Sequence, residues 1–263
     1  MSIADKLMEI ADKIPQIYNA GFQKGMKEAE GAGDTTEAYN QGVKDGKQAE
    51  YDAFWDAYLN NGNRANYEYA FCGEINTNIL TGWTDENFKP KYPMKPLMAQ
   101  NMFYYSHIKK SPYLKNIDFS KCEAFINCFT YSTVEELGVI DSGACLAGYP
   151  FTGVFSNCKN LHTIEKWIPP RSNAPFIYPF NQCTALVNIT VEGAIKQSIS
   201  FQHSTLLSKA SITSIVNALS DTASGMSLTL PLTAVNNAFE NGRDGTEWQT
   251  LISTKPNWTI AYA

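Results

Sequence analysis

Acyl, glycosyl or metal-assisted transfer needs an activated group beside a partner, so the three histidines His107, His162 and His203 are the first residues to weigh. Each follows a phenylalanine of a recurring element, Phe103, Phe155 and Phe201, at offsets of four, seven and two. Unequal offsets predict that stacking the elements brings no two imidazoles into one column. Cys158 and His162 stand at i,i+4, a spacing that could hold a metal on a helix. The repeat, however, turns Cys158 inward and His162 outward. Glu135 and Glu136 are adjacent carboxylates in a turn, the pattern of solvated charge. No Gly-rich phosphate loop, Gly-x-Ser-x-Gly, His-Glu-x-x-His or Cys-x-x-Cys is present. No catalytic, metal or cofactor-binding residue is assigned, no cofactor is expected, and the chain reads as non-enzymatic.

The elements that would position such groups are repeats. Phe103-Tyr-Tyr-Ser106, Phe129-Thr-Tyr-Ser132, Phe155-Ser-Asn-Cys158 and Phe180-Asn-Gln-Cys183 recur about every 25 residues, and a degraded fifth copy starts at Phe201 with Ser204. Each of the four is followed by a second apolar phrase. In the third and fourth copies it is Leu161-x-x-Ile164 and Leu186-x-x-Ile189-x-Val191, at one offset from the Phe. In the second it is Val134-x-x-Leu137-x-Val139, one residue early. In the first it is Leu114-x-x-Ile117-x-Phe119, displaced by an insertion, His107 to Ser111, that a surface loop absorbs at little entropic cost. The pattern predicts coils whose Phe, Leu and Ile side chains stack in columns. A small residue sits inside each turn, so Cys158 and Cys183 replace Ser106 and Ser132 as buried reduced thiols. Burying each Phe or Leu stabilises by roughly 1.5–3 kcal/mol, so coils that cannot fold singly can fold as a stack.

These residues resemble the leucine-rich repeats of the BspA-like type, whose units carry a Phe, a small Cys/Ser/Asn position and then Leu-x-x-Ile leading into a short strand. The resemblance covers about 99–207, and irregular unit length and the insertion are its departures. The wider layout runs from a short helical start through Tyr51-x-x-Phe-Trp-Asp-x-Tyr58 and Gly82-Trp-Thr-Asp85 to the repeats and a Trp-bearing tail. It looks like repeat proteins encoded in prophages of gut Firmicutes. The resemblance implies an α+β fold: a short leucine-rich-repeat solenoid over 99–207, between an N-terminal helical or coiled-coil segment and a C-terminal α/β cap. It also implies a phage or prophage structural protein, tail-associated or receptor-binding, made in the bacterial cytoplasm and carried in the virion. The alternatives are a bacterial cell-surface adhesin and, less favoured, a glycan-acting enzyme.

Composition bounds these expectations. The chain has 263 residues, 44% of them hydrophobic and 13% aromatic, which predicts a folded protein. A net charge of -5, with 21 Lys and Arg scattered along the chain, gives no basic footprint for nucleic acid. No apolar run reaches the roughly 18–20 residues that span a bilayer, and the N-terminus lacks the pattern of a signal peptide, so neither membrane insertion nor Sec export is expected. Six cysteines in so long a chain are too dilute for a disulfide scaffold.

In segment 1–46, Ile3, Leu7, Ile10, Ile14 and Ile17 alternate by four and three, the seam of a heptad. Ile at both seam positions favours a trimer, so the expected partners there are copies of the chain or other virion proteins; with about two heptads and Pro15 inside the seam, a helix docked on its own chain is the alternative. The solenoid would face a host surface protein or glycan. Tyr18-Asn-x-Gly21-x-x-x-Gly25 is echoed by Tyr39-Asn-x-Gly42-x-x-x-Gly46, a spacing that suits flexible connectors or close helix contact, with connectors preferred. In segment 47–98, Tyr51, Phe54, Trp55 and Tyr58 share a helical face, and with Tyr67, Tyr69, Phe71, Trp83 and Phe88 they read as a cover for the open end of the solenoid, a sugar-stacking surface being the alternative. In 208–263, helices over 211–219 and 247–254 and strands over 228–230 and 258–262 read as the C-terminal cap.

Overall fold

A computed structural model describes residues 16–17, 19–21, 23–24, 43–49, 67, 70–72, 83–91, 93–148 and 151–263. The predicted seam residues Ile3, Leu7, Ile10 and Ile14 and the aromatic face Tyr51, Phe54, Trp55 and Tyr58 lie outside them. The chain divides into two units, Met1–Arg64 with Ile75–Trp83 and Lys89–Tyr92, and Ala65–Glu74 with Thr84–Phe88 and Pro93–Ala263.

In the first unit the described residues of 16–24 and all of 43–49 are helical, with Ile17 half-buried and Gly46 buried. A methyl group on Gly21 would lie 2.7 Å from the Asp45 carbonyl oxygen and 3.0 Å from the Ala49 Cβ. The preferred connector reading is therefore corrected at this position. Gly21 is the close-approach residue of two helical stretches, because any larger side chain would hold their backbones apart.

The second unit is a parallel β-solenoid with few helices. One face is a three-stranded sheet of β1 (Glu136–Asp141), β3 (Thr163–Ile168) and β5 (Asn188–Val191), in that order. A second face pairs β2 (Phe151–Thr152) with β4 (Phe176–Ile177), and a third sheet orders β6 (Ile199–Ser200), β7 (Met226–Leu230) and β8 (Trp258–Tyr262). All these pairings are parallel. Leu137, Ile164 and Ile189 are in register and buried, so the second phrase of each repeat forms one column. Val139 is 42% exposed and Ile140 takes the inward position instead. The expected Leu137-x-Val139 alternation is thus broken. Ile140 lies opposite Trp167, and β3 carries one extra residue between Ile164 and Trp167 relative to β5. A bulge of this kind carries the inward set from i+2 to i+3. In the first coil Leu114, Ile117 and Phe119 are buried, but the single-turn 3-10 helix Pro112–Asn116 stands where later coils begin their strands.

Three helices follow: α1 (Lys209–Asn217), α2 (Leu232–Ala238) and α3 (Thr246–Ser253). Ser208 caps α1, accepting a hydrogen bond from the Ser211 N–H. α1 buries Ile212, Ile215 and Val216 and packs against β5. It also closes the open edge of the sheet. Ser211 Oγ accepts from Ile189 N–H (2.9 Å) and donates to the Val187 carbonyl (3.0 Å), while Ser214 Oγ accepts from Val191 N–H (2.8 Å). Two serine hydroxyls thereby replace the next strand, which is how an edge can end without inviting another chain. Nothing in the spacing of the repeats pointed to α2, whose Asn236-Asn237 pair has low helix propensity.

Candidate binding surface

The core that sets the surface is a column of rings. Phe71, Phe103, Phe129, Phe155, Phe180 and Phe201 stack in succession, with centroids 5.1, 5.0, 5.8, 5.1 and 4.5 Å apart and planes within 25°. All are at most 1% exposed. Phe71 extends the column past the first repeat. Phe88 meets Phe71 and Phe103 edge-on at 5.0 and 5.7 Å. Stacked and edge-on pairs each contribute about 0.5–1.5 kcal/mol beyond area burial.

The small positions Ser106, Ser132, Cys158, Cys183 and Ser204 are all buried. Cys158 Sγ donates to the Phe129 carbonyl (2.9 Å), Cys183 Sγ to the Phe155 carbonyl (3.0 Å) and Ser204 Oγ to the Cys183 carbonyl (3.1 Å). Each turn is therefore tied to the turn before it. Burial pushes the Cys158 thiol up to about 12 and the Cys183 thiol well above its ordinary value, so both are protonated donors. The same desolvation raises Cys122 to about 12 and Cys145 to about 11. All six cysteines are free and buried.

Around each ring the backbone follows one rule. Residues two before and two after the Phe adopt positive φ: Asn101 and Tyr105, Asn127 and Tyr131, Gly153 and Asn157, Tyr178 and Gln182, all between 51° and 60°. This is a corner made of two left-handed residues flanking a buried ring. Asn and Gly adopt that conformation readily, whereas a bulky aromatic does so at a cost of about 1–2 kcal/mol. Between corners runs a backbone ladder. Asn101, Asn127 and Gly153 N–H donate to Ile126, Thr152 and Ile177 carbonyls at 2.8–2.9 Å, and Phe103, Phe129 and Phe155 N–H continue it to Cys128, Val154 and Pro179 at 2.7–2.9 Å.

The corner presents Tyr105, Tyr131, Asn157, Gln182 and His203 at one repeat position. Tyr105 and Tyr131 stack at 4.6 Å and 14°, and Gln182 Nε2 lies 3.2 Å from His203 Nε2. His107 and His162 are exposed, His203 is half-buried, and Cys158 is fully interior. Among the described residues no group of three His, Cys, Asp or Glu side chains is placed to hold a metal ion.

The strand face is different in kind. Lys115 Nζ bridges Glu165 (2.8 Å) and Glu136 (2.9 Å), Lys110 pairs with Glu135 (2.9 Å) and Lys166 with Glu192 (2.5 Å). Donating hydrogen bonds to Glu165 and Glu136 raises the Lys115 ammonium, and Lys115 in turn holds the Glu136 carboxyl below the usual carboxylate range. Three lysines here face four glutamates, so the charges on this face largely cancel.

One anchor had no signal in the repeats. Asp85 Oδ1 accepts from the N–H groups of Lys109 (2.8 Å), Lys110 (2.9 Å) and Ser111 (2.9 Å). The His107–Ser111 insertion is thus not a free surface loop, and its Ile108 is 1% exposed. The expectation of a passive insertion is corrected, because one carboxylate binds its turn and one side chain joins the core.

The ladder stops at the fourth corner. Among the described residues no carbonyl accepts from the Tyr178, Phe180 or Gln182 N–H, although Phe180 and Phe201 still stack. β6 pairs onward with β7, and Phe201 N–H donates to Thr229 (2.8 Å). Between β4 and β6 a groove of about 320 Å³ is lined by Ile177, Tyr178, Ser198, Ser200, Ser227 and Thr229 among others, none of them charged. A larger open hollow of about 950 Å³ beside α1 is flanked by the Lys209–Glu247 ion pair at 2.6 Å.

No protein-family model matches the sequence, and no curated protein and no solved structure matches it either. No helix among the described residues is long and apolar enough to cross a membrane.

Proposed function

We propose that this chain is a non-catalytic display protein: a tail-associated or receptor-binding component of a phage or prophage, with a repeat of the BspA-like leucine-rich type. The observation that carries the proposal is the separation of core from surface in the repeat. The inner positions are held to Phe and Ser or Cys, while the corner position two residues after the Phe changes from Tyr105 and Tyr131 to Asn157, Gln182 and His203 without disturbing the ring column. A scaffold of this kind lets recognition residues vary on a fixed frame, the physical basis on which solenoids bind partners. Buried Leu161 just before β3 with Ile164 inside it, and Leu186 just before β5 with Ile189 inside it, support the repeat type. The Ile3, Leu7, Ile10, Ile14 and Ile17 seam would join copies of the chain, as a trimer, or attach it to other virion proteins.

Immunogold labelling of particles released from a bacterium that encodes the chain tests the proposal. Gold on the tails is the expected result. Bare particles with label confined to the bacterial envelope would overturn it and favour an adhesin.

A further inference from the structure

We infer that the groove between β4 and β6 is a binding site for a neutral saccharide, with Tyr178 as its stacking platform. The inference deepens the display reading by naming a surface and a ligand class.

The residue at the first left-handed corner position decides the matter. Three coils fill it with Asn101, Asn127 and Gly153, residues suited to positive φ. The fourth fills it with Tyr178 at φ 51°, and the residue is 71% exposed. Packing does not account for this choice, since Asn or Gly would serve the corner with less strain and less exposed apolar surface. Tyr105 and Tyr131 are also left-handed, but they stack on each other. Tyr178 has no ring partner among the described residues. Strain held at a site without a structural return marks a functional position.

The surroundings name the ligand. Ser200 and Thr229 are paired across β6 and β7, and their buried neighbours Ile199 and Leu228 turn the two hydroxyl-bearing residues toward the groove. Ser198 Oγ accepts from Ser227 N–H at 3.0 Å and Ser200 Oγ from Gln202 N–H at 3.3 Å, so what Ser200 offers a ligand is its hydroxyl proton. The Tyr178 N–H, whose counterparts at Asn127 and Gly153 complete the ladder, meets no backbone acceptor among the described residues and stands at the groove wall. An exposed aromatic face beside neutral hydroxyls and a backbone donor suits the apolar C–H face and the ring hydroxyls of a sugar. The lining holds no Lys, Arg, Asp or Glu, so nothing there compensates a carboxylate, phosphate or ammonium. A volume of about 320 Å³ falls at the small end of ligand sites.

Saturation-transfer difference NMR on the full chain, with maltotriose, cellotriose and tri-N-acetylchitotriose as neutral probes and trigalacturonate as the anionic one, tests the site. Saturation of the sugar C–H protons by at least one neutral probe is expected, with trigalacturonate silent. Tyr178→Asn should bind at least about tenfold more weakly while melting at the same or a higher temperature, because relief of the left-handed Tyr separates loss of binding from loss of fold. Ser200→Ala should weaken binding, and Glu136→Gln on the strand face should not. Silence from all three neutral probes, equal binding by Tyr178→Asn, or equal binding of trigalacturonate would overturn the inference. Tail labelling could still succeed in each of those cases, so failure of the saccharide site and failure of the display role are distinguishable.

Discussion

Replacing Phe155 by Ala removes a ring from the middle of the column, and the structure sets the size of the effect. Phe155 is fully buried, stacks on Phe129 at 5.8 Å and on Phe180 at 5.1 Å, and meets Phe151 edge-on at 6.4 Å. Truncating a buried Phe to Ala costs about 3–5 kcal/mol when the surroundings cannot close the void. Here they are held apart by the ladder bonds Phe129 N–H to Val154 and Phe155 N–H to Pro179, at 2.8 and 2.9 Å, so the upper half of that range applies. The two lost stacks account for about 1–3 kcal/mol of it. Urea unfolding followed by far-ultraviolet circular dichroism and tryptophan fluorescence measures the loss, and coincidence of the two probes checks that one cooperative transition is being read. A double-mutant cycle sharpens the test. Phe129→Ala with Phe155→Ala should show about 0.5–3 kcal/mol of coupling, whereas Phe103→Ala with Phe180→Ala, which share no contact, should add within about 0.5 kcal/mol. A loss below about 1 kcal/mol for Phe155→Ala, against the range for buried rings, would refute the stacked column as the source of stability.

Asp85→Ala should cost about 1.5–3 kcal/mol, since three backbone donors lose one charged acceptor; fast amide exchange at Lys109, Lys110 and Ser111 would report it, and unchanged exchange would refute the anchor. The native protein should leave Ellman's reagent unreacted at pH 8 and release six thiols in guanidinium, because all six are buried; prompt native reaction at Cys158 or Cys183 would contradict the interior placement. Burial raises the folded thiols above the unfolded value, so the folded state holds the proton more tightly as pH rises. Their stability contribution is full below about pH 8.5 and is lost toward about 12 for Cys158. Cys158→Ser with Cys183→Ser should therefore flatten the fall in melting temperature between pH 8 and 11, and an unaltered slope would refute it. Replacing both Leu7 and Ile10 by Asp should lower the mass seen by light scattering to that of one chain, and a monomeric mass in both forms would eliminate the seam as an oligomerisation device.

The inner face of the repeat was legible because its chemistry is fixed by position. Every coil must put an apolar ring and a small residue at the same place, so Phe103, Phe129, Phe155 and Phe180 with Cys158 and Cys183 stand out at constant offset. The helix at Ile212, Ile215 and Val216 and the strand from Trp258 to Tyr262 were legible for the usual reason of periodicity. What escaped was backbone conformation and long-range polar contact. Asn101, Asn127 and Asn157 flank the rings and do carry the left-handed signal. Tyr105, Tyr131 and Tyr178 occupy the same conformation against their propensity and so concealed the rule. β1 keeps register with β3 and shares its extra residue relative to β5, so Ile140 turns inward in place of Val139, a slip that alternation alone cannot reveal. Asp85 lies 24 residues from Lys109, and Phe71 lies outside the repeat spacing, so neither the anchor nor the added ring had a local sign.

The fourth corner shows that ring column and backbone ladder are separable. Rings continue from Phe180 to Phe201 at 4.5 Å, the closest step in the column, while the ladder ends at Tyr178 and the strand face is closed by Ser211 and Ser214 of α1. The hydrophobic term is non-directional and needs only proximity, so it can carry the chain across a join that directional hydrogen bonds do not cross. That difference is what opens the groove between β4 and β6. It also explains why the groove lies where the repeats give way to β6, β7 and β8: two sheets whose strands do not pair can still share one apolar core. A neutral ligand seated there would restore a donor–acceptor pairing that the fold leaves open, without requiring the core to move.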